Sequence, residues 1–290
     1  SQVFKFDPAG GFLLKFGRKG EGPGEFQEAE KCQARLTGEF MLYEWMKQRL
    51  IFFSQEGEFL RQSTFAAEEE IWGSDVVLLD SGNTLYIGAP EDPDAAIRYF
   101  HLLIADANLR LVKKLPERVA AESPFNSPRM NLLNSYIKYQ VSGNRIYAYS
   151  QDNPEYELSI YDLEGNILKK VRKEYRKVRL YEEYKKRRME WFKNHPLSRM
   201  HKMEGYFPDH YAPIKELIVD EQGRIYAETY ELGEGSGQKR TDILNAEGAF
   251  IGSVFLEEAH KRMIRDDLLY ALQEKENGYQ KLVVSRMLWQ

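Results

Sequence analysis

"TGEFMLYEW" (residues 37–45) and "FFSQEGEFL" (residues 52–60) decide how this chain is read. The first is a turn followed by an apolar run that carries an aliphatic residue and then Tyr43. The second is an apolar run, a polar turn closing on Gly57, and another apolar run. Aromatic and aliphatic runs bounded by turn residues read as strands joined by short hairpins. Asp, Ser or Asn at the start of such a turn bonds its own backbone, and glycine near the end accepts φ > 0.

Both patterns recur. The first returns as "SGNTLYIGA" around Tyr86, "SGNRIYAYS" around Tyr147, "EQGRIYAET" around Tyr226 and "RDDLLYALQ" around Tyr270. The second returns as "IYDLEGNIL" (160–168) and "ILNAEGAFI" (243–251). It also appears as "LLIADANLRL" (102–111), a degenerate copy with Leu109 in place of the glycine, and as "KFDPAGGFL" (5–13) at the start of the chain. Each unit therefore holds about four strands. From Tyr43 to Tyr86 is 43 residues and from Tyr226 to Tyr270 is 44, whereas the two intervals between are 61 and 79 and must contain insertions. A four-stranded repeat of this length is the size of a propeller blade.

"VFKFDPAGGFLLKFGRKGEGPGEF" (3–26) resembles an NHL-type repeat that ends one blade and leads into the next. "FPDHYAPIKELIVDEQGRIYAETYE" (207–231) resembles a blade of the six-bladed propellers common among exported bacterial proteins. The resemblance covers essentially the whole chain. It implies an all-β, six-bladed propeller of four-stranded antiparallel blades over residues 1–290, and a periplasmic or cell-surface location. Complete blades are expected at about 28–66, 72–117, 134–176 and 213–257. The first unit (1–17) holds only outer strands and the last (260–290) only three, so a few tens of N-terminal residues, with a possible lipid anchor, are expected upstream. A count that merges both ends gives five blades.

The glycines of "GRKGEGPGEF" (17–26) pose a separate question, whether they cradle a phosphate. A phosphate loop sits between a strand and a helix and follows a set spacing. Gly17, Gly20, Gly22 and Gly24 fit neither requirement, so the stretch reads as a crossover between blades.

Composition bounds the function. The chain has 290 residues, 42% hydrophobic and 13% aromatic, and a net charge of −4. No field of the whole molecule favours nucleic acid. Cys32 is the only cysteine, which excludes an intrachain disulfide and a cysteine-based zinc site. No apolar run reaches the eighteen or so residues of a membrane span.

Residues 169–202 stand apart, with 14 Lys and Arg against 4 Glu, leaving −14 on the remainder. They overlap a basic helical insertion at 172–212, helical near 172–205, with a helix expected at about 177–194. Its apolar stripe would be Leu180, Tyr181, Tyr184, Trp191 and Phe192, laid against the rest of the protein. Residues 118–136, with two proline turns, read as a loop.

Candidate chemistry is sparse. His195, His201 and His210 lie within 16 residues, but their spacing fits no helix face and Pro196 and Pro208 intervene. They read as loop histidines. "APEDPDAA" (89–96) reads as a solvated hairpin turn, since it lacks the alternation of a calcium loop. Glu30, Asp75, Asn134, Lys138, Lys215, Arg262 and Arg265 sit near the starts of predicted inner strands, a set with more cations than carboxylates. The reading that follows is a non-catalytic scaffold, without cofactor or metal, recognising a protein, peptide or carbohydrate and not a nucleic acid. Trp72, Asp75, Tyr136, Lys138, His210, Tyr211 and Lys215 are its expected binding residues. The alternative is a metal-assisted hydrolase or lyase with three or more convergent Asp, Glu, Asn or His side chains in a central channel.

Overall fold

The computed structural model describes every residue except 1, 8, 36, 66–70, 90–94, 124–125, 201, 236, 275–277 and 289–290, with backbone alone at 71–75, 197 and 200. It is a β-propeller of antiparallel blades. β1 (Val3–Phe6) and β2 (Phe12–Phe16) form a hairpin. β3 (Lys31–Ala34), β4 (Phe40–Glu44), β5 (Arg49–Phe53) and β6 (Phe59–Thr64) form the first four-stranded sheet. The second is β7 (Ile71–Leu78), β8 (Thr84–Gly88), β9 (Ile97–Ala105) and β10 (Leu111–Glu122). A short β11 (Arg129–Asn131) precedes the third: β12 (Ile137–Ser142), β13 (Arg145–Ser150), β14 (Glu157–Tyr161) and β15 (Ile167–Arg172).

Helices α1 (Glu182–Asn194) and α2 (Pro196–Met200) and strand β16 (Glu204–Tyr206) follow. The fourth sheet is β17 (Glu216–Val219), β18 (Ile225–Leu232), β19 (Gln238–Leu244) and β20 (Phe250–Glu257). The last has three strands, β21 (Lys261–Arg265), β22 (Leu268–Glu274) and β23 (Gln280–Arg286). Among the described residues this makes five blade sheets, four complete and the last short of one strand, besides the opening hairpin. Two compact units divide the chain: Ser1–Pro93 with Tyr99–Pro116, and Asp94–Arg98 with Glu117–Gln290.

The turns work as their chemistry requires. Asp162 Oδ1 accepts the N–H groups of Glu164 and Asn166 at 3.1 and 2.7 Å, and Asp220 Oδ1 does the same for Gln222 and Arg224. The residue closing the turn has positive φ. Gly248 shows why glycine suits the site, for a Cβ there would lie 2.3 Å from Val171 Cγ2. Leu109 adopts φ 59° without being glycine. Its side chain is buried in the core of its unit, and that burial, worth about 1.5–3 kcal/mol, outweighs the 1–2 kcal/mol or so of left-handed strain.

The inner strands are apolar at successive positions because both faces are covered. In the first unit, Met41 and Tyr43 of β4 pack with Val76, Tyr86 and Leu103. Leu42, on the opposite face, packs with Phe16, Phe26 and Phe53. In the second unit, Tyr147 packs with Leu217 and Ile225, while Tyr226 faces Ile264 and Leu269. A period-2 strand between two sheets thus reads as a continuous apolar run.

The repeated tyrosines Tyr43, Tyr86, Tyr147 and Tyr226 are buried, and Tyr270 half-buried. Their hydroxyls are not equivalent. Tyr226 donates to Asp220 Oδ2 at 3.0 Å. Tyr43 Oη is buried without a hydrogen-bond partner, and burial pushes its pKa well above the usual phenol range. Tyr226→Phe is therefore expected to destabilise by about 1–2 kcal/mol, and Tyr43→Phe to be neutral or stabilising by up to about 1 kcal/mol. Urea midpoints of the two variants test this; a shift of the same sign in both contradicts it.

The stretch 17–26 is a structural joint, held from the strand below it. Arg49 and Glu44, both buried, pair at 2.6 Å. Glu44 Oε1 accepts the N–H of Gln27, and Arg49 donates to the carbonyl of Glu25 at 2.6 Å. The Glu25 carboxylate accepts the N–H of Gly22 at 2.8 Å and bonds Arg18. The Gly22 N–H thus serves the protein's own Glu25 carboxylate, while the N–H groups of Glu25 and Phe26 bond the carbonyls of Gly22 and Arg18.

Three expectations need correction. Residues 118–136 are not all loop: β10 extends to Glu122, and β11 pairs in parallel with β16. The two insertions of the second unit therefore build one small sheet together. The helix begins at Glu182, because 178–180 runs extended, with Tyr211 N–H bonding Val178 and Leu180 N–H bonding Asp209. Trp191 does not belong to the buried stripe and is 45% exposed. The covered face is instead Phe192 with Met189, against Leu132, Met203, Met130 and Phe207, and Tyr184 and Arg188 both donate to the Leu132 carbonyl.

Candidate functional site

Within the second unit, the starts of β12, β17 and β21 carry a continuous row of polar and aromatic side chains. Tyr136 lies just before β12, 42% exposed. Its N–H bonds Gln151 Oε1 at 3.0 Å, and its hydroxyl accepts from Asn134 Nδ2 at 3.2 Å. Lys138 Nζ sits 5.4 Å from the Tyr136 ring and pairs with Glu216 at 2.9 Å. The Gln151 amide also donates to the carbonyls of Ile214 and Lys215. One side chain therefore ties the start of one blade to the start of the next.

Lys215 pairs with Glu228 at 2.8 Å and with Glu258 at 3.1 Å. Glu228, 3% exposed, also pairs with Arg262. Desolvation alone would lower the pKa of Lys215, but the Glu228 and Glu258 carboxylates outweigh it and hold it above the usual lysine value. Burial pushes Glu258 up, yet Lys215 and its neighbours bring it below the usual carboxylate range. Lys239, 5.4 Å from the Tyr181 ring, is lowered by burial and then by repulsion from Lys215.

An aromatic brace backs the row. Tyr211 is 5% exposed and stacks on Tyr230 with centroids 4.0 Å apart and planes at 5°. Tyr181 and Tyr184 meet Tyr211 edge-on at 5.2 and 6.0 Å. Stacking of this kind holds the approach to β17 rigidly.

The expected binding residues are thus distributed as follows. The structure brings together Tyr136, Lys138 and Lys215. Tyr211 is a buried brace. His210 is half-buried, and its backbone forms an antiparallel bridge with Arg179. Trp72 and Asp75 lie in β7, with side chains outside the described residues. Glu216, Glu228 and Glu258 were missed by the sequence reading. Glu228 had a signal: it follows the repeated tyrosine by two residues and places a carboxylate directly after the apolar run Ile225–Ala227.

Among the described residues, the remaining inner-strand candidates do not converge on a metal. Glu30 accepts the N–H of Trp45, and Arg265 lies 3.9 Å from Asp266. Among the described residues, no group of three or more His, Cys, Asp or Glu could hold a metal ion. His195 meets the Trp191 ring at 4.8 Å, His201 lies outside the described residues, and 90–94 of the acidic hairpin do too. Among the described residues no helix is long and apolar enough to cross a membrane.

Similarity to known proteins follows the same lines. The chain superimposes on a protein named as exported from Bacteroides fragilis NCTC 9343, with a TM-score of 0.55 and 13% identity over 94% of this chain and 74% of that one. A member of the DUF4221 family from Bacteroides vulgatus ATCC 8482 gives 0.52 and 12% over 98% and 86%. At these identities the likeness is one of fold. No curated protein matches the sequence. The DUF5128 family, described as a 6-bladed beta-propeller, matches residues 1–188, and this chain belongs to it.

Proposed function

We propose that this chain is a non-catalytic binding scaffold that recognises a protein, peptide or carbohydrate at one mouth of the propeller, through the row from Tyr136 and Lys138 to Lys215. The observation that supports it is the state of Lys215 and Glu258. General acid–base catalysis needs a pKa near the working pH, whereas Lys215 is driven up and Glu258 down, so each stays charged. Ion pairs and the Gln151 bridge fix the side chains in advance, which lowers the entropy cost of recognition. Tyr136 offers an exposed ring beside a cation, a combination enriched in recognition surfaces.

The NHL-type character of the opening repeat, and a periplasmic or cell-surface location, belong to this proposal through the resemblance of residues 3–26 and 207–231. A displayed peptide library and a glycan array, screened against the wild type and a Tyr136→Ala/Lys138→Ala variant, test it. Ligands selected by the wild type are expected to lose at least about tenfold in affinity on the variant, which corresponds to about 1.4 kcal/mol. Ligands that bind both proteins equally would place recognition elsewhere.

A further inference from the structure

Three cations along the row are already neutralised: Lys138 by Glu216, Lys215 by Glu228 and Glu258, and Arg262 by Glu228. Lys239 of β19 stands beside them and is not. Among the described residues it has no ion pair, and its Nζ lies 5.4 Å from the Tyr181 ring. Glu258 and Glu228 attract it at longer range, but both are committed to Lys215. Burial, and then the repulsion of Lys215, outweigh them and hold Lys239 below the usual lysine value. Lys239 is half-buried, so water can solvate the ammonium only from its open side. A partly buried charge without a counter-ion is costly, and a ligand that brings one removes that cost.

The surroundings select the counter-ion. Leu232 lies directly opposite Lys239 in the pairing of β18 with β19 and is 55% exposed. Residues directly opposite in an antiparallel pair share a sheet face, so an exposed apolar side chain adjoins the cation. The Tyr181 hydroxyl is spent on the Tyr230 carbonyl, which fixes the ring in place. The complement is an anionic group on an apolar or ring-shaped body. Glu228 and Glu258 act on this position too, and a dianion such as phosphate would meet twice the repulsion that a carboxylate meets.

We infer that Lys239, with the Tyr181 ring and Leu232 beside it, is a subsite for a carboxylate of the ligand that the row recognises. The inference rests on the scaffold reading and narrows it to acidic ligands. The carboxylate can come from a peptide or from a uronic acid.

Two matched pairs of probes separate these sources: N-acetyl-leucine against its amide, and methyl glucuronide against methyl glucoside. Nuclear magnetic resonance of the protein with isotope-labelled lysine side chains follows Lys239 during each titration. At least one acid is expected to bind at least about tenfold more tightly than its uncharged counterpart and to raise the Lys239 pKa, as a nearby opposite charge does. The pair that shows the preference identifies the source. Lys239→Met should abolish the preference while circular dichroism and urea midpoint stay unchanged, and Lys239→Arg should keep it. Lys193→Met, which removes an exposed cation of α1, should leave it intact. Equal affinity within both pairs, or a preference that survives Lys239→Met, overturns the inference. The scaffold reading fails by a different result. Acids that bind at Lys239 while no library ligand is weakened by Tyr136→Ala/Lys138→Ala would keep the subsite and remove the row. Uncharged library ligands that need Tyr136 and Lys138 but ignore Lys239→Met would keep the row and remove the subsite.

Discussion

Glu228→Ala is expected to destabilise the protein by about 3–5 kcal/mol, the range found when one partner of a buried ion pair is removed. Glu228 is 3% exposed and neutralises two cations, Lys215 at 2.8 Å and Arg262, whose side chain is 6% exposed. Lys215 keeps Glu258 as a partner, but Arg262, its side chain buried, keeps only the Glu257 carbonyl as a hydrogen-bond partner, with Glu258 acting on it at longer range. The cost arises from that stranded charge rather than from the attraction lost. Glu228→Leu combined with Arg262→Met should therefore recover most of the stability, since an apolar pair of similar volume often substitutes for a buried ion pair without penalty. Denaturation followed by far-UV circular dichroism measures both. A loss below about 1 kcal/mol in the single variant, or a double variant no better than the single, would show that the charges are solvated.

In the first unit, Arg49→Ala is expected to cost a similar amount, about 3–5 kcal/mol, for the same reason. Glu44, 1% exposed, would lose its cation, and the Glu25 carbonyl would lose its donor. This variant should also have a local signature that Glu228→Ala lacks. The joint at 17–26 is tied to the blade through Arg49 and Glu44, so amide exchange at Gly22 to Gln27 should accelerate beyond what the global loss explains. Arg49→Lys keeps the charge but has a single ammonium in place of the planar fork that reaches Glu44, Gln62 and Glu25 together. It should restore only part of the stability. Unchanged exchange in the joint would mean that the glycine turns hold it unaided.

The strands and turns were legible in the sequence because their causes are local. Asp162 and Asp220 bond amides two and four residues on, and those contacts follow from the turn itself. The repeated tyrosines mark the second strand of each blade, and the three-stranded last sheet follows from counting. Leu109 stood out as a substitute for glycine, and its positive φ follows from its place in the turn. The site was only partly legible. Tyr136, Lys138 and Lys215 were expected at the starts of inner strands, but Tyr211, chosen on the same ground, is buried under Tyr230.

What the sequence by itself determined is the blade: its period, its turn chemistry and the strand that bears each tyrosine. These depend on φ preferences, turn hydrogen bonds and period-2 patterning within a few residues. The tertiary structure decided the rest. It paired β11 with β16 across some seventy residues of chain, turned Trp191 out while Phe192 went in, and gathered Lys215, Glu228, Glu258 and Arg262 from three separate stretches. No local rule encodes such contacts. They are selected by which apolar faces remain to be covered, and by the requirement that a buried charge find its partner wherever the chain supplies one.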